Sequence, residues 1–200
     1  MKILALSLAA LVPCLAAGLD VDKGRTMGDP AAPMLFEIYS DFSCPACKNL
    51  HEKVLPAIVL DYVKTGKAYL VFREYPLNIP AHKYSRPAAA FAVAAARIGK
   101  YQTVSDALFR NQVAWGLSGK VWETVATALT PEEQKKVQAL AKDPAVAAAV
   151  QRDVDRGTEA MRSHIQTPTL MITYRLRQQP WTQFADYSLL RGYIDALLKK

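Results

Sequence analysis

Cysteine and histidine are scarce in this sequence. There are three of each in 200 residues: Cys14, Cys44 and Cys47, and His51, His82 and His164. Structural zinc commonly draws four ligands from two spaced pairs. This chain has one pair, and Cys44, Cys47 and His51 would supply three ligands with no partner motif, so no metal is expected. Covalent haem attachment wants a histidine directly after the second cysteine, and Lys48 stands there. Long basic runs are also missing: none exceeds two residues, despite a formal net charge of +7. Charge scattered in this way reads as a solvated surface, suited to acidic partners or anionic membranes, and nucleic acid is not an expected partner. Neither internal repeats nor low-complexity tracts occur beyond alanine-rich stretches such as AAAFAVAAA (88–96).

The first stretch present is MKILALSLAALVPCLAAGLD, with one Lys, an apolar run from Ile3 to Leu15, small residues and Asp20. That is the layout of a secretory signal peptide, expected over 1–18 with cleavage after Ala16 or Gly18. The run is short for a bilayer span, so an uncleaved anchor is the lesser alternative. Leu11-Val12-Pro13-Cys14 loosely matches a lipidation box, but Pro13 argues against it. Removal of Cys14 leaves Cys44 and Cys47 as the only thiols. Export makes disulfide chemistry available to them.

Met34 to Tyr39 reads as a buried strand. A helix is expected from about Cys44 to Thr65, because Leu50, Val54, Ile58 and Tyr62 recur every four positions, with Leu55 and Val59 widening the stripe. Pro56 should kink that helix and Gly66 should end it. Ala68 to Glu74 reads as a second strand. Residues 82–164 carry repeated helix signals, including a capping Thr130 before Pro131 and Glu133 and a capping Asp143 before Pro144, which predict four or five helices. Thr169 to Tyr174 reads as a strand. The segment around Gln178-Gln179-Pro180 reads as a loop, with a further strand as the open alternative. Asp186 to Leu198 closes the chain as an amphipathic helix. Gly24 to Pro33 reads as a leader into the domain.

The segment FSCPACK (42–48) carries the chemistry. Residues three apart on a helix have Cα atoms roughly 5 Å apart, within the range of a disulfide. Cys44 at the helix cap, with Pro45 at the first helical position, would have its thiolate stabilised by free N–H groups and the helix dipole. That makes Cys44 the expected nucleophile. Cys47, one turn in, is expected to be more buried and to resolve a mixed disulfide. An inert structural bridge is a poorer reading, because so small a loop constrains the unfolded chain little.

Four stretches carry a resemblance: Gly28-Asp29-Pro30-Ala31-Ala32-Pro33, then FEIYSDFSCPAC (36–47), FREYPL (72–77), and Thr167-Pro168-Thr169. Together they resemble the DsbA-like branch of the thioredoxin superfamily, over nearly all of the mature chain. The resemblance implies an α/β thioredoxin fold with an inserted α-helical domain: 19–79 and 166–200 for the thioredoxin-like part and 80–165 for the insertion. It implies Cys44 and Cys47 as attacking and resolving cysteines, a cis-proline at Pro168, and Thr167 backbone placed to pair with a substrate chain. The expected function is an exported, periplasmic or extracytoplasmic thiol–disulfide oxidoreductase, acting as an oxidase on cysteine-containing exported proteins. The redox-active Cys44–Cys47 disulfide is the only redox group implied, with no separate cofactor. A membrane quinone-linked oxidase of the DsbB or vitamin K epoxide reductase type is the implied recycling partner. A monomer is expected, as no dimerisation segment is seen. A reductase or isomerase on the same scaffold, or a redox-inert binding protein or chaperone, are the rival readings.

Two departures from the family pattern stand out. Where relatives often carry His or Tyr before the second cysteine, Ala46 offers neither charge nor hydrogen bond. Pro45 and Ala46 should therefore tune Cys44 to be less acidic than in strong oxidases. Relatives often carry an acid six residues before the first cysteine, but here that residue is Ile38. Glu37 is one place earlier, facing the other side of the strand, and reads as a surface or strand-end carboxylate. Phe42, Tyr75 and Trp181 read as core or as an apolar collar for peptides, and Trp115 and Trp122 as packing of the helical block. Lys48, His51 and His82 are minor candidates for influence on the thiolate.

Overall fold

The structure, a computed structural model, describes residues 20–162 and 164–199. The signal-peptide expectation over 1–18, with Cys14, lies outside the described residues. A five-stranded sheet forms the middle layer. Its strands are β1 (Thr26–Met27), β2 (Met34–Ser40), β3 (Ala68–Glu74), β4 (Thr169–Tyr174) and β5 (Arg177–Trp181). The order is β1-β3-β2-β4-β5. β2 and β3 pair in parallel, and all other neighbours are antiparallel. β2 is central and covered on both faces, which is why six of its seven residues are buried and its sequence reads as one apolar run.

The helical segment after β2 runs from Pro45 to Val63 in unequal pieces. α1 (Pro45–Asn49) passes into a π turn over Leu50–Val54, then α2 (Leu55–Ile58), then a second π turn over Val59–Val63. Pro56 has no N–H to give, and its ring crowds the carbonyl four residues back, so a widened turn just before it lets the helix continue. The stripe Leu50, Val54, Ile58 and Tyr62 is buried as its spacing predicts. The segment ends at Gly66, which takes a φ of 72°.

Among the described residues between β3 and β4 there are six α-helices, against the four or five helices expected. They are α3 (Ser85–Ala96), α4 (Tyr101–Arg110), α5 (Gln112–Ser118), α6 (Val121–Ala126), α7 (Pro131–Ala141) and α8 (Pro144–Met161). The extra break falls at Gly119, whose φ of 76° ends α5. Thr130 makes the full capping box with Glu133, and Asp143 caps α8 through the Ala145 N–H. Trp115 is buried in this block and Trp122 packs on Phe91. α9 (Tyr187–Leu198) closes the chain, capped by Asp186. Among the described residues no helix is long and apolar enough to cross a membrane.

Two local readings change. The expected loop at Gln178–Pro180 is part of β5, and Pro180 is tolerated there because an edge strand leaves its missing N–H facing outward. The hairpin turn before it, Arg175-Leu176, has φ of 48° and 64°. Such turns usually carry Asn or Gly, so no turn signal marked the second strand. The expected leader holds β1 and a short 3-10 turn (Lys23–Arg25) whose Arg25 is buried.

The largest correction concerns Glu37, read as a surface or strand-end carboxylate. It lies mid-strand and fully buried. Alternation along β2 sends Phe36 and Ile38 into the main apolar core and Glu37 to the face covered by α8. There Arg73 donates to it at 3.0 Å, and Arg156 donates to both its oxygens at 2.8 and 3.0 Å. Arg73 also donates to Asp153 at 2.9 Å, and Arg25 pairs with the same carboxylate. Gly157 permits the close approach of α8, since a Cβ there would meet the Tyr39 and Tyr75 rings within 2.8 Å.

Removal of one partner of a buried pair leaves an uncompensated charge. Glu37→Ala should lower the unfolding free energy by about 3 kcal/mol in urea titrations, whereas Arg156→Ala, with a half-exposed side chain, should cost under about 1 kcal/mol. Equal losses in the two variants would contradict the buried placement.

Candidate active site

β2 delivers its C-terminal end to the turn Asp41-Phe42-Ser43. Asp41 is buried and ties this turn together. Its carboxylate accepts the Ser43 N–H at 2.8 Å and the Leu77 N–H at 2.9 Å, bonds His82 Nδ1 at 2.7 Å, and accepts the Ser85 hydroxyl. Its carbonyl accepts the Cys44 N–H at 3.0 Å. From the helical block, Gln112 Nε2 donates to the carbonyls of Phe42 at 2.7 Å and Cys44 at 2.9 Å. The cysteine turn is therefore held from β3's far end and from α5 at once.

Cys44 is the cap of α1, with extended backbone, and Pro45 is the first helical residue. Both cysteines are free thiols, and Cys47 is the more buried, at 1% exposure against 7%. The Cys44 Sγ lies 3.4 Å from the Thr167 carbonyl, and the Thr167–Pro168 peptide is cis. The loop before β4 thus stands over the cysteine pair. Cys47 Sγ accepts the Asp41 N–H at 3.4 Å.

The two thiols are pushed in opposite directions. Cys44 is lowered to about 6, first by the hydrogen bond from Cys47 and against the opposing effect of burial. Thr167 helps, although its buried hydroxyl makes no hydrogen bond of good geometry, as do the backbone N–H groups of Cys47 and Ala46. Cys47 is raised well above its ordinary value, first by burial and then by the neighbouring Cys44 sulfur. Helix-start N–H groups and a partner thiol thus make one sulfur an anion near neutral pH while its neighbour keeps its proton.

The minor candidates make their polar contacts away from the Cys44 sulfur, His82 through Asp41. Lys48 reaches the Arg110 carbonyl and Glu52. His51 stacks on Phe109 and bonds Asp106 at 2.7 Å. Phe42 and Tyr75 are buried, in two different clusters, and Trp181 stacks on Tyr193, so the three make no common collar. Among the described residues no group of three or more His, Cys, Asp or Glu side chains is arranged to hold a metal ion. Asp41, Ser85 and Gln112 escaped the sequence reading. Asp41 carries a weak local signal, an Asx residue two before a turn N–H. Gln112 carries none, since its contact spans 68 positions.

An ultraviolet titration of the reduced protein should show one thiolate forming with a midpoint near pH 6 and no second thiolate before pH 9. The sign for stability follows. A thiol lowered in the folded state stabilises that state above its unfolded value of 9.0, and the effect is lost as pH falls through about 6. The reduced form should therefore gain stability on the oxidised form between those limits. A midpoint near 9 would remove the asymmetry.

This arrangement matches known proteins closely in shape. The crystal structure of Wolbachia pipientis alpha-DsbA1 superposes with a TM-score of 0.68 at 20% identity, covering 86% of this chain and 89% of that one. The oxidised BdbD of Bacillus subtilis superposes with a TM-score of 0.69 at 22% identity, covering 89% and 95%. In sequence, a putative protein-disulfide oxidoreductase of Rickettsia bellii is 26% identical over 120 residues, 58% of this chain. That match spans less than half of the curated relative's own length, 45%. The family model described as thioredoxin matches residues 20–195. With a strand delivering two cysteines to a helix start, a proline loop facing them, a fold shared with the DsbA1 and BdbD structures, and that match across nearly the whole described chain, the protein belongs to the thioredoxin family.

Proposed function

We propose that this chain is a thiol–disulfide oxidoreductase that exchanges disulfides with cysteine-containing exported proteins through Cys44 and Cys47, acting as an oxidase outside the cytoplasm. The opposed shifts of the two thiols carry the reading. In the oxidising direction a substrate thiolate attacks Cys44 sulfur of the enzyme disulfide, and Cys47 leaves. A second substrate thiolate then attacks the mixed disulfide, and Cys44 leaves as a thiolate. A stabilised Cys44 thiolate is a good leaving group, which favours donation of the disulfide. Pro45 and Ala46 set the helix start on which that stabilisation depends, and Thr167 and Pro168 face the sulfur where a substrate backbone would lie. The names of the relatives agree with this chemistry. A membrane quinone-linked oxidase of the DsbB or vitamin K epoxide reductase type would reoxidise the pair.

One observation favours a second reading, a reductase or isomerase. Thiolates of strong oxidases titrate near 3.5 and that of thioredoxin near 7, and Cys44 at about 6 stands nearer the second.

Equilibration with glutathione buffers should give a reduction potential between about −120 and −270 mV, the figures for a strong oxidase and a reductase. Its slope should change from about 59 to about 30 mV per pH unit as pH rises past the Cys44 midpoint, because one proton fewer accompanies two electrons. Cys44→Ser should reduce thiol exchange to background. A potential below about −300 mV, or full exchange in that variant, would sink the reading.

A further inference from the structure

Glu74 closes β3 and is fully buried, yet no step of the exchange described above uses it. The Tyr101 hydroxyl, on α4, donates to its Oε1 at 2.7 Å. Tyr101 also borders a small cavity, about 20 Å³ in volume, whose wall includes Cys47, Ser40, Ser105 and His51. A space of that size holds one water if polar groups line it. Ser105 Oγ is buried beside the Tyr101 hydroxyl and makes no hydrogen bond of good geometry. Ser40 lies beside the Cys47 sulfur. Cys47 and Glu74 are thus connected through one water-sized space and one phenol. On β2 itself, two residues border this cavity: Ile38, which cannot carry a proton, and Ser40, whose hydroxyl is no store for one.

The groups facing Glu74 come from four elements. Arg25 lies in the turn before β1, Tyr101 is on α4, Asp41 follows β2, and Asp153 on α8 accepts the Glu74 N–H at 3.1 Å. Burial lifts the Glu74 carboxyl to about 8, the Tyr101 hydrogen bond and Arg25 act against it, and Asp153 and Asp41 add to it. On the cysteine side the titratable groups are Cys44 and His51, and the His51 Nε2 is engaged by Asp106. A carboxyl that changes charge near neutral pH can both take and return a proton there.

We propose that Glu74 is the proton store of Cys47, reached through the Tyr101 hydroxyl and one water in the cavity beneath the cysteine pair. The proposal rests on the exchange reading above. When Cys47 resolves a mixed disulfide, its thiol proton passes to the water, the water gives a proton to the Tyr101 oxygen, and Tyr101 gives its own to the Glu74 carboxylate. The Cys47 thiolate then attacks Cys44 sulfur. The Cys44–Cys47 bond forms, the bond from Cys44 to the substrate sulfur breaks, and the substrate leaves reduced, as a thiolate. In the oxidising direction Cys47 leaves as a thiolate and the same path, reversed, returns its proton. Glu74 and Tyr101 act through the water and never touch the substrate, so they are positioning residues for a proton.

Stopped-flow reaction of the reduced protein with dithiobis(nitrobenzoate) tests this in two phases. The first is attack by Cys44, and the second is release of the remaining nitrothiobenzoate by Cys47. At about pH 7, Tyr101→Phe and Glu74→Gln should each slow the second phase about tenfold and leave the first unchanged. The wild-type second phase should rise with pH through an inflection near 8, where Glu74 loses its proton, and both variants should lack that inflection. The double variant should be no slower than either single one. Tyr101→Phe keeps the ring packed on Phe72, so it decides the matter even where Glu74→Gln disturbs folding. A normal first phase with a wild-type second phase and pH profile in Tyr101→Phe would overturn the relay alone. Absence of a first phase in the wild type would overturn the exchange reading, and the relay with it.

Discussion

The contact between the sulfurs of Cys44 and Cys47 is the interaction on which the rest of this structure depends. It is the largest influence holding Cys44 acidic, and it works because the two sulfurs differ in burial. A thiol that keeps its proton is a donor, and a thiolate at a helix start is an acceptor. Were both sulfurs equally exposed, neither role would be fixed. The fold supplies the difference by ending a buried strand one residue group before a helix, so that one cysteine caps the helix and the other turns back into the core.

Holding that geometry takes contacts from distant parts of the chain. Asp41 gathers groups from the segment after β3 and from α3, and Gln112 reaches in from α5. The helical block therefore does more than cover the sheet: its α5 gives a donor to the Phe42 carbonyl and a second one to the Cys44 carbonyl, which also accepts the Lys48 N–H. On the opposite face, Glu37, Arg73 and Asp153 form a buried charge network that binds β2, β3 and α8 and draws the N-terminal Arg25 under the sheet. Asp153 also bonds the backbone of Glu74. The same carboxylate thus anchors α8 and holds the backbone of the acid that Tyr101 bonds.

Much of the fold was legible because its signals are local. The strand at Met34–Ser40, the helix through Pro56, the caps at Thr130 and Asp143 and the strand at Thr169–Tyr174 each follow from periodicity or from one residue's backbone preference. The β5 hairpin was illegible because Arg175 and Leu176 adopt left-handed φ without the residues that advertise it. Glu37 was misread because a charged residue in a strand looks solvent-facing until its partners, Arg73 and Arg156, are known to arrive from 36 and 119 positions away.

The sequence by itself determined the cysteine pair, its place between a strand and a helix start, and the Thr167-Pro168 step before a late strand. These depend on neighbours in the chain and on dihedral preferences that any fold must respect. Only the tertiary structure decided which carboxylates are buried, that Gln112 and Asp41 hold the turn, and that Tyr101, bonded to Glu74, shares a small cavity with Cys47. Desolvation and charge pairing depend on what surrounds a group in three dimensions, and residues scores of positions apart supply those surroundings.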